Sequence, residues 1–159
     1  MNRIGIIGAM DEEVDILVDL MDIKETIEKA SLKFYKGTLE GKDIVLVRCG
    51  IGKVNSALCA QILISEFDVD AIVNTGVAGA LHSELDVLDM VISTDAIQYD
   101  VDTTAFGDPK GTIPRMESSV FVADEKLINA AYESSIKEMK SNKVLKGRVA
   151  TGDIFISSK

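Results

Sequence analysis

The chain has 159 residues, 47% of them hydrophobic, which is enough for one domain of ordinary size with a buried core. Its 26 acidic residues outnumber its 17 basic residues, and the resulting net charge of −9 argues against nucleic acid as a partner. No apolar run approaches the roughly 20 residues of a membrane helix, and the N-terminus enters a predicted strand without a signal sequence, so we expect a cytoplasmic protein without membrane contact.

The cysteine and histidine content argues against a metal site. The two cysteines, Cys49 and Cys59, lack the spacing of metal ligands and are predicted to be buried free thiols. His82 is the only histidine, which excludes a zinc site built on histidines, and we expect it in a solvated loop.

The chain begins with a predicted strand, turn and helix. Residues 3–9 read RIGIIGA, a continuous apolar run typical of a central strand covered on both faces. A helix is predicted from Met10, with Val14, Leu17 and Met21 on its core face. The glycines follow a G-x-x-G pattern and not the G-x-G-x-x-G fingerprint of dinucleotide-binding folds, so no such cofactor is expected.

Three consecutive acids, Asp11, Glu12 and Glu13, open this helix. Carboxylates at a helix start are stabilised by the positive end of the helix dipole, which accounts for two of them. The third, Glu13, can also point back over the carboxyl edge of the sheet, where α/β proteins bind ligands. The residues alone leave both interpretations of Glu13 open.

A hairpin and a second strand, turn and helix follow. Residues 23–29 and 32–40 alternate like antiparallel strands joined by a tight turn at residues 30–31. Residues 43–48, DIVLVR, predict a buried strand, and Lys53 ends the glycine turn after it. The next helix is predicted to face the core with four residues: Val54, Ala57, Leu58 and Ile62. Because Lys53 lacks P-loop spacing, phosphate transfer is not indicated.

The stretch 71–81, AIVNTGVAGAL, is a candidate binding floor. Its β-branched start predicts a buried strand, and no side chain larger than valine follows between Thr75 and Ala80. Gly76 and Gly79 permit backbone angles closed to other residues, and their missing side chains let a ligand approach the main chain. Two glycines that simply turn the chain are the alternative interpretation.

The second half continues the α/β pattern. Residues 89–93, 96–101 and 144–151 predict strands, and a helix over 124–140 is predicted with Asp124 as its N-cap. Its predicted core residues are Leu127, Ile128, Ala131 and Ile136. Without repeats or linkers, residues 1–159 are interpreted as one domain.

A long loop over 102–115, DTTAFGDPKGTIPR, contains both prolines. Loops of this length in a compact domain tend to be functional or mobile. Phe106 and Ile113 are apolar residues on it that could pack against a subunit or cover a pocket, and ordinary satellite packing is the alternative.

Five stretches together resemble one family: RIGIIGAMDEEV at 3–14, GIGKVNSA at 50–57, NTGVAGAL at 74–81, DTTAFG at 102–107 and TGDIFI at 151–156. They are similar to the 5′-methylthioadenosine/S-adenosylhomocysteine nucleosidases of the purine nucleoside phosphorylase fold. The resemblance implies a three-layer α/β/α fold with a mixed central sheet, and a homodimer. It also implies hydrolysis of the N-glycosidic bond of these nucleosides, with release of adenine and the thioribose, as in methionine salvage.

The resemblance assigns roles to single residues. Glu13 matches the glutamate that positions and activates the attacking water. Ala78 and Gly79 match the main-chain floor of the site. Phe155 matches the aromatic residue that stacks on the purine, and Ile156 matches the residue whose backbone contacts the purine edge.

Three further residues, Ile51, Phe106 and Pro114, match positions near the alkylthio group, and Phe106 would reach in from the partner subunit. One departure lies in the floor itself. Many members carry serine where this chain has Val77, so a hydroxyl is lost although the backbone is kept.

A second departure concerns the C-terminal part. The acid that protonates the departing adenine, a second glutamate that grips the ribose hydroxyls, and a final strand and helix have no counterpart in these 159 residues. We therefore expect the N-terminal part of a nucleosidase, with a fold incomplete at the C-terminus, and a tryptic-type cut at Lys159 is one possible origin. We also expect the 159-residue chain alone to release no adenine.

Other functions remain open. A phosphate-dependent nucleoside phosphorylase of the same fold needs phosphate donors, and the glycine turns offer only Lys53 and the nearby Arg48. A non-catalytic nucleoside-binding relative would explain the missing carboxylates. A flavodoxin-like signalling domain fits less well, because it does not need two glycine-floored turns and a proline-rich loop.

Overall fold

A computed structural model describes residues 2–156. The chain forms two compact units, Met1–Ala78 and Gly79–Lys159, and each is described by itself. That both belong to one domain stays a prediction, and the predicted cut at Lys159 lies outside the described residues. Over residues 2–156, no helix combines the length and the apolar character that crossing a bilayer requires.

The first unit is built on a five-stranded mixed sheet in the order β2-β3-β4-β1-β5. Its strands are β1 (Arg3–Gly8), β2 (Asp22–Lys29), β3 (Leu32–Leu39), β4 (Lys42–Arg48) and β5 (Ala71–Asn74). Strand β1 pairs in parallel with β4 and β5, whereas β2 with β3 and β3 with β4 pair antiparallel. The predicted hairpin is confirmed: its two turn residues, Ala30 and Ser31, have φ angles of 48° and 62°, as a twisted two-residue turn requires.

Two helices cover the two faces of this sheet: α1 (Asp11–Leu20) and α2 (Lys53–Phe67). Successive side chains of β4 point to opposite faces. Val45 packs in the cluster that contains Leu63 of α2, and Leu46 packs with Val14 of α1. The first unit therefore has the expected α/β/α layers.

The predicted core face of α2 is wrong at Val54, Ala57 and Leu58, whereas the fourth predicted residue, Ile62, packs against the core cluster. The buried residues of the helix are Cys59, Leu63 and Phe67, whereas Val54 and Leu58 are exposed. Because α2 is apolar on nearly all sides, the spacing of its apolar residues did not determine which side is buried. The prediction of buried free thiols at both cysteines is confirmed.

The second unit contains a three-stranded mixed sheet in the order β7-β6-β8. Its elements are β6 (Met90–Gln98), β7 (Val120–Val122), β8 (Val144–Thr151) and the helix α3 (Glu125–Glu138), which packs against β6 and β8. Strand β6 runs parallel to β8 and antiparallel to β7. The α/β class with mixed sheets is confirmed, although the strands form two sheets where one central sheet was expected.

Three details of the second unit differ from prediction. The strands expected at 89–93 and 96–101 are one strand, β6, with a register shift between Ser93 and Asp95 that interrupts its alternation. Strand β7 was not predicted, because it has only three residues. In α3 the predicted N-cap is confirmed, since the Asp124 side chain accepts the Leu127 N–H at 3.0 Å. Two of its expected core residues are wrong, because Ala131 is exposed and Ile136 is 52% exposed.

Candidate active site

Glu13 lies in the first turn of α1, just beyond the carboxyl end of β1. Its Oε2 atom accepts the N–H groups of Ala9 at 2.6 Å and Met10 at 3.1 Å. Its Oε1 atom accepts the N–H of Val77 at 3.0 Å. Because Val77 follows β5, which lies next to β1, one side chain connects the ends of two adjacent parallel strands. The Glu13 carboxylate thus lies at the carboxyl edge of the sheet, where α/β folds bind ligands.

Two glycines make the space that Glu13 occupies. A β-carbon at Gly76 would lie 2.5 Å from Glu13 Oε1, well inside the contact distance of the two atoms. A β-carbon at Gly8 would lie 2.6 Å from the Val14 Cγ1 atom and 3.1 Å from the Glu13 Cβ atom. Glycine is therefore required at both positions for steric reasons.

The turn after β5 differs in one respect from its prediction. Neither Gly76 nor Gly79 has the left-handed backbone that favours glycine, so the special angles expected for these two residues are wrong. Gly76 provides room for a carboxylate. A β-carbon at Gly79 would have no atom within 4 Å, so packing of the protein does not explain the glycine there. Ala78 and Gly79, the predicted floor residues, are both exposed.

The three acids at the start of α1 have three different environments. Asp11 pairs with Arg48, at the end of β4, with 2.9 Å between Oδ1 and Nε. Both of these side chains are more than half exposed, so the ion pair contributes little to stability. Glu12 is exposed to solvent. Glu13 alone among the three accepts main-chain N–H groups that follow β1 and β5, as one interpretation of the sequence allowed.

Ile51 lies in the loop that follows β4. It lies between Gly50 and Gly52, whose φ angles of 84° and 104° are left-handed. The Asn55 side-chain amide donates to the Ile51 carbonyl at 2.7 Å and holds the loop against the start of α2. The Ile51 side chain is 75% exposed. The structure therefore presents this predicted alkylthio contact to solvent beyond the carboxyl end of β4.

In the second unit, the loop that carries Phe106 is internally ordered. The Thr104 hydroxyl and N–H donate to Asp102 Oδ1 at 2.7 and 3.1 Å, and these bonds hold the pKa of Asp102 below its usual range. A single 3₁₀ turn over Thr104–Phe106 ends at Gly107, whose φ is 92°. The Phe106 side chain is 88% exposed, and Pro114, later in the same loop, is also exposed.

The two predicted purine contacts follow β8. Phe155 is 92% exposed and Ile156 is 56% exposed. The segment that carries them begins at Gly152, where a β-carbon would lie 2.7 Å from the Tyr99 ring. His82 is exposed in a loop, as predicted, and its Nδ1 atom accepts the Glu84 N–H at 3.3 Å.

The sequence analysis missed several residues that position the predicted site residues. Gly8 was interpreted as part of a strand, and the main-chain N–H groups of Ala9 and Met10 were not considered as partners of Glu13. The signal was a glycine at the end of a strand, followed within five residues by an acid in the first turn of a helix. Tyr99, against which Gly152 packs, had no signal in the sequence.

The chain matches the Phosphorylase superfamily over residues 3–159. It is 46% identical to the 5′-methylthioadenosine/S-adenosylhomocysteine nucleosidase of Anoxybacillus flavithermus over 154 residues, which cover 97% of this chain and 66% of the relative. The chain thus spans about two thirds of the length of the curated relatives that it matches.

Two solved structures of such nucleosidases are also similar. The enzyme from Neisseria meningitidis, in complex with methylthio-immucillin-A, has a TM-score of 0.92 at 37% identity, covering 99% of this chain and 68% of that one. The enzyme from Colwellia psychrerythraea, in complex with adenine, has a TM-score of 0.91 at 41% identity, covering 99% of this chain and 64% of that one.

Proposed function

Because this chain belongs to the 5′-methylthioadenosine/S-adenosylhomocysteine nucleosidase family of the phosphorylase superfamily, we propose that it serves the hydrolysis of the N-glycosidic bond in these nucleosides, releasing adenine and the thioribose. Cleavage builds positive charge on the ribose while the purine leaves, so the reaction needs an activated water at C1′ and an acid for the base. We assign the first task to Glu13.

The hydrogen bonds of Glu13 carry this proposal. A carboxylate offers about four acceptor positions. Main-chain N–H groups occupy two on Oε2 and one on Oε1, so the remaining position lies on Oε1, beside Gly76. That position is suited to hold the attacking water and to receive its proton. Because its partners are main-chain groups, the carboxylate is held in place before substrate binds.

The open main chain after Val77 supports a floor for the ribose and purine. Ala78 and Gly79 are exposed, and the glycine at 79 is not required by the packing of protein atoms. A flat ligand can approach such a backbone closely. Phe155 offers an exposed ring for stacking on the purine, and Ile156 offers main-chain groups for its edge.

Exposed apolar residues support the proposed alkylthio contacts and homodimer. Ile51, Phe106 and Pro114 are the proposed alkylthio contacts, and Ile51 and Phe106 are 75% and 88% exposed. An exposed aromatic ring on an ordered loop suits insertion into a second copy. On α2, Val54 and Leu58 continue the apolar surface from Ile51, at the spacing of one helix face, and we propose that a second copy covers them.

Two further parts of the proposal concern context. The acid for adenine and the glutamate for the ribose hydroxyls have no counterpart among these 159 residues, so we propose that these residues alone bind the nucleoside without cleaving it. Methionine salvage in the cytoplasm is the proposed setting, and neither a cofactor nor a metal is invoked.

The test is adenine release from methylthioadenosine and S-adenosylhomocysteine by the cellular form of the protein, measured by chromatography with and without phosphate. We expect release that does not depend on phosphate. Dependence on phosphate, with ribose 1-phosphate-type products, would support the phosphorylase alternative. Adenine binding without release by the cellular form would support a non-catalytic relative, and neither binding nor release would refute both.

A further inference from the structure

The parallel register of β6 and β8 brings the residues that follow the two strands side by side. Gln98, the last residue of β6, pairs with Thr151, the last residue of β8. The Tyr99 N–H donates to the Thr151 carbonyl at 3.1 Å and extends this pairing beyond the strands. The chain that leaves β8 therefore begins directly against residues 99 and 100.

Tyr99 contacts the segment that follows β8 at two residues, Gly152 and Ile154. A β-carbon at Gly152 would lie 2.7 Å from the Tyr99 Cε1 atom, so the backbone at 152 packs on the ring and a side chain there would not fit. The Tyr99 hydroxyl donates to the Ile154 carbonyl at 3.1 Å. The ring and the hydroxyl thus hold the main chain at two points.

Asp100 contacts the residue between these two, Asp153. Its Oδ2 atom accepts the Asp153 N–H at 2.9 Å. Both hydrogen bonds lie at the exposed surface of the unit, while Tyr99 and Asp100 themselves are half-buried. Each of the three consecutive residues 152–154 therefore contacts one of the two side chains.

Phe155 comes next in the chain. Its ring is 92% exposed, so the backbone that carries it, and not packing around the ring, sets its direction. A ring held in the direction of stacking loses less conformational freedom when a flat ligand binds than a ring on a free segment would. The bonds to residues 152–154 therefore restrict the backbone that carries Phe155.

We propose that Tyr99 and Asp100 are positioning residues for nucleobase recognition. They hold residues 152–154 so that the Phe155 ring can stack on a purine and the Ile156 main chain can meet its edge. Neither residue touches the nucleobase; both act through the segment that they hold. This inference rests on the function proposed above for Phe155 and Ile156.

The test compares adenine affinity, measured by titration calorimetry, in four variants of the protein. Tyr99→Phe removes the hydroxyl and keeps the ring, and Asp100→Ala removes the acceptor for Asp153. We expect each to weaken adenine binding by about three- to tenfold, the usual effect of one lost hydrogen bond. Asp100→Asn keeps an acceptor oxygen and is expected to bind within twofold of wild type. Tyr132→Phe makes the same chemical change on α3 and should bind like wild type.

Two further measurements separate positioning from general stability. Turnover of methylthioadenosine by the cellular form should show KM raised in the Tyr99 and Asp100→Ala variants, with kcat changed less than KM. Hydrogen exchange should be faster at residues 152–156 in Asp100→Ala and unchanged there in Tyr132→Phe. A global loss of structure would instead accelerate exchange throughout the unit.

The outcomes distinguish this inference from the function on which it rests. If wild type binds adenine and Tyr99→Phe and Asp100→Ala bind it equally well, the positioning role is refuted and the proposed function stands. If exchange at 152–156 does not change in Asp100→Ala, the positioning role is also refuted. If wild type neither binds adenine nor releases it, both proposals fall.

Discussion

The Oε1 atom of Glu13 occupies space that any side chain on residue 76 would need, because a β-carbon there would lie 2.5 Å from it. Gly76 and Glu13 are 63 positions apart in the sequence. A residue of the turn after β5 thus decides whether an acid at the start of α1 can reach the carboxyl edge of the sheet.

Replacing Gly76 by alanine is therefore expected to displace the Glu13 carboxylate. The overpacking should cost about 1–3 kcal/mol in the free energy of unfolding, and a carboxylate moved by about 1 Å should lower adenine release roughly 100-fold. Chemical denaturation of the cellular form of the protein and its turnover of methylthioadenosine measure the two effects.

Gly147→Ala is the matched control for this substitution. A β-carbon at residue 147 would make only an ordinary contact, 3.7 Å from a Val91 methyl group. The control should keep its activity. Equal activity in Gly76→Ala and Gly147→Ala would show that the position of Glu13 does not matter for turnover.

In the cellular form of the protein, Glu13→Gln should lower turnover strongly and leave the helix start intact. The amide oxygen of glutamine can replace Oε2 and accept from Ala9 and Met10. Its NH₂ group then faces the Val77 N–H, so two donors oppose each other and the proposed position for water is lost. We expect kcat to fall about 10²- to 10⁴-fold. Glu12→Gln, a neighbouring exposed acid, should keep wild-type kinetics, and comparable loss in both variants would contradict the assignment.

Cys59 should not react with thiol reagents in the folded protein. Burial, with a smaller contribution from nearby Cys49, raises the pKa of Cys59 from 9.0 to about 12. At pH 8 it should therefore remain protonated and inaccessible, and it should react only after unfolding. A colorimetric thiol assay with and without denaturant measures this. Rapid labelling of Cys59 in the native protein would contradict the prediction.

The raised pKa of Cys59 also makes the free energy of unfolding depend on pH in the alkaline range. Because the folded pKa of Cys59 lies above the unfolded value, its contribution is fully present below pH 9.0 and is lost as the pH rises towards 12. The loss is at most about 1.4 kcal/mol per pH unit in this range. Cys59→Ala should flatten that part of the stability profile.

Asp95 on β6 is expected to make the stability of the second unit depend on pH in the acid range. The Arg148 side chain donates to Asp95, and this bond, followed by a smaller one from Thr94, holds the pKa of Asp95 below its usual range. A lowered folded pKa gives stability above the unfolded pKa, and that stability is lost as the pH falls through the folded value.

Arg148→Met should therefore reduce the free energy of unfolding at pH 7. It should make little difference at a pH below both the folded and the unfolded pKa of Asp95. Urea unfolding at the two pH values measures the effect, with Lys126→Met, a cation on the exposed start of α3, as the control. An equal deficit for Arg148→Met at both pH values would show that lost packing, and not the Asp95 charge, is responsible.

The apolar face of α2 should govern self-association. Val54 is 78% exposed, and a glutamate there would place a charge in the proposed contact between two copies. We expect wild type to have twice its chain mass in light scattering and Val54→Glu to be monomeric. Val87→Glu alters a valine that is 88% exposed in a loop, and it should keep the wild-type mass. A monomeric wild type would refute the proposed homodimer.

The sequence predicted those elements whose pattern of apolar residues matches their burial in the structure. Arg3–Gly8 is a continuous apolar run and is covered on both faces, and the hairpin around residues 30–31 follows from alternation on both sides of a short turn. In α2 the pattern failed because Val54 and Cys59 are equally apolar, so only tertiary packing selected the side that holds Cys59.

The candidate site was predicted only in part for a similar physical reason. Glu13 was one of three acids at the start of α1, so the residues alone left its direction open, and the resemblance gave it a role. That Gly76 makes space for the Glu13 carboxylate depends on a distance between residues far apart in sequence, which periodicity does not contain. The Tyr99 hydroxyl was missed because its partner is a main-chain carbonyl, which any residue can offer.

The bond between Glu13 and Val77 also ties the proposed catalytic position of Glu13 to the order of folding. Strand β1 and helix α1 are local in sequence and can form early, but the Oε1 atom gains its partner only when β5 docks beside β1, closing a loop of 64 residues. During refolding of the cellular form, recovery of far-ultraviolet ellipticity should therefore run ahead of recovery of the proposed adenine release, with the lag set by the docking of β5.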